Sequence, residues 1–204
     1  MSRSVAVLSC VLVASFWMAP AGAQRPNALS FEDGEEGWLM LWYGSDLDGW
    51  TVAGDAEWKI EDDAIISDSG GMGFLVTDEV FDSFELKLEF LADLGTNSGV
   101  FLRVPKIPAN VKTETYELNI APPDNAFPTG SLVQRVKVEG AGERAEWRSF
   151  HVVAHGGHFE VTLDGEEILN WTDPNPVRKG TIALQHNQGR IAFRNIKFRY
   201  LDDP

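Results

Sequence analysis

Apolar and polar side chains alternate along Phe84–Phe90: Phe84, Leu86, Leu88 and Phe90 are separated by Glu85, Lys87 and Glu89. A period of two predicts a strand with one apolar and one wet face. Gly95-Thr96-Asn97-Ser98-Gly99 breaks the pattern and predicts a turn, being too polar and glycine-rich to extend the strand. Val100–Val104 then resumes in β-type residues, with Val100, Leu102 and Val104 on one face and Phe101 and Arg103 on the other. An Arg beside an aromatic ring just after a polar turn suits a site facing solvent rather than a core.

The same punctuated pattern runs through the chain. It predicts strands at Trp38–Tyr43, Trp50–Ala53, Trp58–Ile60, Ala64–Ser67, Phe74–Thr77, Tyr116–Ile120, Trp147–Ala154, His158–Leu163, Glu166–Trp171, Gly180–Gln185 and Arg190–Leu201. Glu61-Asp62-Asp63 and Asp164-Gly165 read as hairpin turns, and Gly70–Gly73 as a glycine turn. Pro105–Lys112 and the proline-rich Ala121–Thr129 read as loops. Residues 131–138 fit either a strand or a continuation of that second loop. No amphipathic helix of about ten residues or more stands out, so the expectation is an all-β sandwich of two sheets.

The first segment carries a different pattern. Arg3 precedes an apolar run over Val5–Ala19, closed by Pro20 and the small-residue stretch Ala21-Gly22-Ala23. This reads as a secretory signal peptide over residues 1–23, cleaved before Gln24. The run is short for a membrane anchor. Residues 24–37 are polar and read as a mobile arm, leaving residues 38–204 as one domain. Cys10 is the only cysteine, so the mature chain would have none and would rely on its core rather than on disulfides. A secreted or periplasmic location follows as the expectation. The balance of 17 basic against 31 acidic residues disfavours nucleic acid and anionic membranes as partners, and is compatible with an uncharged sugar or a cation.

The chemistry-bearing motifs are sparse. His151, His155 and His158 do not form a zinc-binding HExxH, and Asp46-Leu47-Asp48-Gly49 is only a fragment of a calcium loop. Ordinary two-carboxylate glycoside hydrolysis is poorly supported, because Lys87 lies between Glu85 and Glu89 and Tyr116–Ile120 carries a single acid. Glu117 and Asn119 share the face of that strand opposite Tyr116, Leu118 and Ile120. Glu117 is therefore a solvated glutamate or a site carboxylate. Trp147 and Trp171 are core residues or sugar-stacking platforms.

Several segments, in order, resemble the 3-keto-disaccharide hydrolase family. Leu41–Trp50 is similar to its LFNGKDLxGW, Trp58–Ile65 to WxVEDGxL, Phe84–Phe90 to FELRLEF, and Asn97–Arg103 to NSGVFLR. Tyr116–Ile120 resembles YEVQI, Glu146-Trp147 the start of EWN, Ile182–Gln185 IxLQ, and Phe193–Ile196 FRNI. The resemblance implies a concanavalin A-like jelly roll that cleaves 3-keto-glycosides: a base removes the C2 proton, the C1 substituent is eliminated, and water adds to the glycal. It further implies Glu117 as base or metal ligand and Arg103 as a cation near the carbonyl. Asn97, Asn119 and Gln185 would bind hydroxyls and Trp147 would stack, with a divalent ion as an optional cofactor of unassigned ligands. The sequence departs from the pattern at Asn187, where the family carries a histidine; His186 lies one residue earlier and is the remaining candidate. Arg148 and Asn119 also replace the family's Asn and Gln. Three functions are compatible with these residues: a 3-keto-glycoside hydrolase or lyase, a non-catalytic carbohydrate-binding jelly roll, and a structural envelope domain.

Overall fold

The computed structural model describes residues 25–105, 114–139 and 142–202. The expected signal peptide and most of the Pro105–Lys112 loop lie outside the described residues. The elements are α1 (Phe31–Glu35), β1 (Leu39–Met40), β2 (Trp50–Glu61), β3 (Ala64–Thr77), β4 (Phe84–Ala92), β5 (Asn97–Val104), β6 (Tyr116–Ile120), β7 (Arg148–His155), β8 (His158–Leu163), β9 (Glu166–Thr172), β10 (Thr181–Gln188) and β11 (Ile191–Tyr200).

The strands form a continuous 11-stranded antiparallel sheet in the order β6-β5-β10-β3-β11-β4-β7-β8-β9, with β2 on β3 and β1 on β11. The sheet curls so that its two halves face each other across one core. Val100, Leu102, Leu118 and Leu184 of one half join Leu86, Leu88, Phe150 and Val161 of the other in a single apolar cluster. The halves stay joined because β3 is long. Its C-terminal part pairs with β10, and its N-terminal part pairs with β11. Shifts of register in the β2–β3 ladder fall beside Gly54–Ala56 and Glu57–Lys59. Such bulges bend a strand and let it pass from one layer to the next.

Gly70–Gly73 belongs to β3 rather than to a turn. Its glycines are needed because β2 lies close: a Cβ on Gly73 would meet Ala56 N at 2.7 Å. Of residues 131–138, Leu132 and Val136 alone form isolated bridges. The hairpin turns are as the sequence predicts. Asp62 and Asp63 have φ of 51° and 57°, and Asp164 and Gly165 have φ of 54° and 84°, the left-handed pairs of a type I′ turn.

The stretch read as a mobile arm carries α1 and is tied to the sheet. Asn27 N donates to Asn195 Oδ1 at 2.6 Å, and Asn195 N donates back to Asn27 Oδ1 at 2.8 Å. Ser30 and Asp33 form a capping box, and Lys197 Nζ meets Asp33 Oδ1 at 2.5 Å.

Candidate active site

Two cross-strand rows on the face of β6-β5-β10-β3-β2 turned away from the core form the candidate site. One row is Glu117, Phe101, Ala183, Val76 and Thr51. The next is Asn119, Gly99, Gln185, Phe74 and Ala53. Direct partners and residues two apart share a face, so these side chains form one strip. The strip is polar at the β6 end and apolar at the β2 end.

At the polar end the Glu117 side chain packs beside Gly99. A Cβ there would lie 3.5 Å from Glu117 Oε1. Asn119 and Gln185 flank Gly99 on the neighbouring strands and are 3% and 5% exposed. Asn119 Nδ2 donates to Phe127 O. Its Oδ1, and Oε1 of Gln185, are buried acceptors without a donor among the described residues. An unmet buried acceptor costs about 1–3 kcal/mol, so two in one row mark a place where stability is spent on something other than folding. Asn97 opens β5 on the face of Gly99 and Phe101, half-buried.

At the apolar end a groove of about 920 Å³ is lined by Phe74, Phe101, Val76, Val80, Ala53 and Ala183 among others. The Phe74 and Phe101 rings meet edge to face, 5.1 Å between centroids. This wall was missed in the sequence, yet a signal is there: Phe74 and Val76 are apolar on the face opposite Leu75, so β3 is apolar on both sides.

The other expected site residues lie elsewhere. Arg103 is fully buried, not facing solvent. A register shift opposite Thr181–Ala183, with Arg103 at φ 57°, turns its side chain away from the face of Phe101. Its guanidinium donates to Asp82 O at 2.9 Å, Gly156 O at 2.5 Å, Val177 O at 2.9 Å and Ala154 O at 3.1 Å, and lies 5.2 Å from the Phe159 ring centroid. Burial lowers its pKa from the usual value. His186 follows Gln185 and points to the opposite face, paired with Ser98. Both ring nitrogens contact backbone, Gly71 O at 3.2 Å and Gly189 O at 2.9 Å. Trp147 packs on Ala64, Ile66 and Ala192 under the Arg194 guanidinium at 3.9 Å. Ile66 lies eight residues from Phe74 along β3, about 26 Å at 3.3 Å per residue. Arg148 pairs with Asp164 at 2.9 Å. The structure thus brings Glu117, Asn119, Gln185 and Asn97 to one face and leaves Arg103, His186 and Trp147 outside.

A second cleft of about 500 Å³ lies against Lys87, Glu89, His151 and Arg194. Its carboxylate is committed: Arg194 Nε and Asn195 Nδ2 donate to the two Glu89 oxygens at 2.7 and 2.8 Å. Among the described residues no group of three or more His, Cys, Asp or Glu side chains could hold a metal ion.

Crystal structures with the same fold are numerous. One is a protein from Parabacteroides distasonis assigned as a glycosyl hydrolase, at 22% identity and TM-score 0.76, covering 87% of this chain and 100% of its own. Others are a carbohydrate-binding module from Bacillus subtilis (16%, TM-score 0.61, 74% and 95% covered) and a β-glucanase from Bacillus licheniformis (12%, TM-score 0.58, 78% and 96% covered). At these identities the likeness shows the fold, a jelly roll. A search of curated proteins finds no match. The sequence matches the 3-keto-alpha-glucoside-1,2-lyase-like domain over residues 37–199, and the chain therefore belongs to that family.

Proposed function

We propose that the protein cleaves glycosides whose sugar ring carries a ketone at C3. The carrying observation is the carboxylate of Glu117, beside Gly99 on the face that also carries two carboxamides whose acceptors meet no donor among the described residues. One base suffices for this chemistry. The ketone acidifies the C2 proton, and Glu117 takes it. The C–H electron pair forms the C2–C3 enolate, whose oxygen is held by carboxamide N–H donors such as those of Gln185 and Asn97. As the C3 carbonyl reforms, the C1–C2 double bond forms and the C1 oxygen leaves with its electron pair. Water then adds across that double bond, its proton to C2 and its hydroxyl to C1. The oxygens of Asn119 and Gln185 accept hydrogen bonds from sugar hydroxyls, which relieves their burial cost. An exported site of action, resting on the leader-like residues 1–23, belongs to the same proposal.

The test is incubation of the pure protein with a 3-keto-disaccharide. Release of the leaving sugar, abolished in Glu117→Ala while the fold survives, supports the reading. Retention of the glycan without turnover supports a second one, a carbohydrate-binding jelly roll. That alternative is favoured by the commitment of His186 to backbone carbonyls.

A further inference from the structure

Resting on that reading, we propose that the leaving group is an aromatic alcohol rather than a second sugar, and that the Phe74–Phe101 groove is its binding site. The groove starts where the sugar site ends, since Phe101 is the cross-strand partner of Glu117. Strands lie about 4.8 Å apart, so the steps from Glu117 to Phe101 to Ala183 cover about 10 Å, the span of two linked rings.

The walls suit an aryl ring and not a pyranose. Phe74, Phe101, Val76, Ala53 and Ala183 offer no hydrogen bonds. The hydroxyls among them are spent as donors: Thr51 Oγ1 donates to Asp78 at 2.8 Å, Thr77 Oγ1 to Glu79 O at 2.9 Å, and Thr181 Oγ1 to Val104 O at 3.2 Å. Asp78 and Lys179 remain among the lining residues. A sugar here would leave most of its hydroxyls unpaired, the penalty by which sites reject polar ligands. An aryl ring meets an edge-to-face aromatic pair instead.

The chemistry agrees. Expelling a sugar alkoxide calls for a general acid, whereas a phenol ionises near pH 10, as tyrosine does, and departs far more readily as the anion. Among the described residues the strip carries one carboxylate, Glu117, and the groove's Asp78 accepts from Thr51 Oγ1, which matches that leaving group. The bond that breaks is C1–O, the phenolate carries off its electron pair and takes a proton from water, and no oxidant or reductant enters.

The experiment compares kcat/KM for phenyl 3-keto-glucosides of both anomers with 3-keto-maltose and 3-keto-trehalose, in the intact protein and in Val76→Thr. The expected result is a phenyl preference of roughly tenfold or more, with the phenyl-to-disaccharide ratio falling about tenfold in the variant. Equal or better turnover of the disaccharides overturns the inference and leaves the reaction standing. A preference that Val76→Thr leaves unchanged, with the variant folded, shows leaving-group reactivity rather than the groove and also overturns it. Turnover of none overturns the reaction and the inference together.

Discussion

Asn119 and Gln185 lie on either side of Gly99 in one cross-strand row, each with a buried carboxamide oxygen that meets no donor among the described residues. Two such groups on one face are costly for the fold and useful for a ligand rich in hydroxyls. Gln185→Met keeps the shape and removes the orphan. It is expected to leave the melting temperature unchanged or raise it by about 2–4 °C, while kcat/KM falls about tenfold or more. A melting curve and a turnover assay on one preparation check both halves.

Arg103 is expected to behave as a staple. Replacing it by Met strands the carbonyls of Asp82, Ala154, Gly156 and Val177. The loss should be about 3–5 kcal/mol, or roughly 10 °C in melting temperature. A folded Arg103→Met variant of unchanged melting temperature and no turnover would return Arg103 to the site.

Asp33 links stability to acid. Burial pushes its pKa up, but hydrogen bonds from Lys197 and Ser30 and the Lys197 charge outweigh this and hold it at about 2. A depressed folded-state pKa gives stability that is full above the unfolded value of 3.8 and lost as pH falls through about 2. Asp33→Asn is expected to cost about 2 kcal/mol at neutral pH and to converge with the native protein between about pH 4 and pH 2. Urea titrations across that range check it.

Tyr116 does the opposite at high pH. Burial, and then its bond to Asp173 Oδ2 at 2.8 Å, push its phenol up to about 12. The stability linked to the neutral phenol is full below the unfolded value of 10 and lost as pH rises through about 12. Ultraviolet titration should show this tyrosine ionising above the usual tyrosine range and together with unfolding. Tyr116→Phe should move that unfolding.

The alternation in β4 and the turn at Asp164-Gly165 were legible because each is a local rule obeyed locally. The shared face of Glu117 and Asn119 was legible for the same reason, since β6 has no bulge. Arg103 was misread because a left-handed residue in a strand breaks the period of two, and nothing in Val100–Val104 announces it. His186 and Trp147 were placed by motif position, whereas strand parity and the Arg194 stack decide where they point. The order in residues 25–37 was invisible because it depends on Asn195, 168 residues from Asn27.

The most direct test of Glu117 as the base is a deuterium isotope effect at C2. A 3-keto-glucoside deuterated at C2 is turned over in ordinary water while leaving-group release is timed. The account predicts a primary isotope effect on release, and a loss of at least about 10³-fold in Glu117→Gln, at the upper part of the range for removing a general base. Release without an isotope effect, undiminished in the folded Glu117→Gln protein, would contradict it.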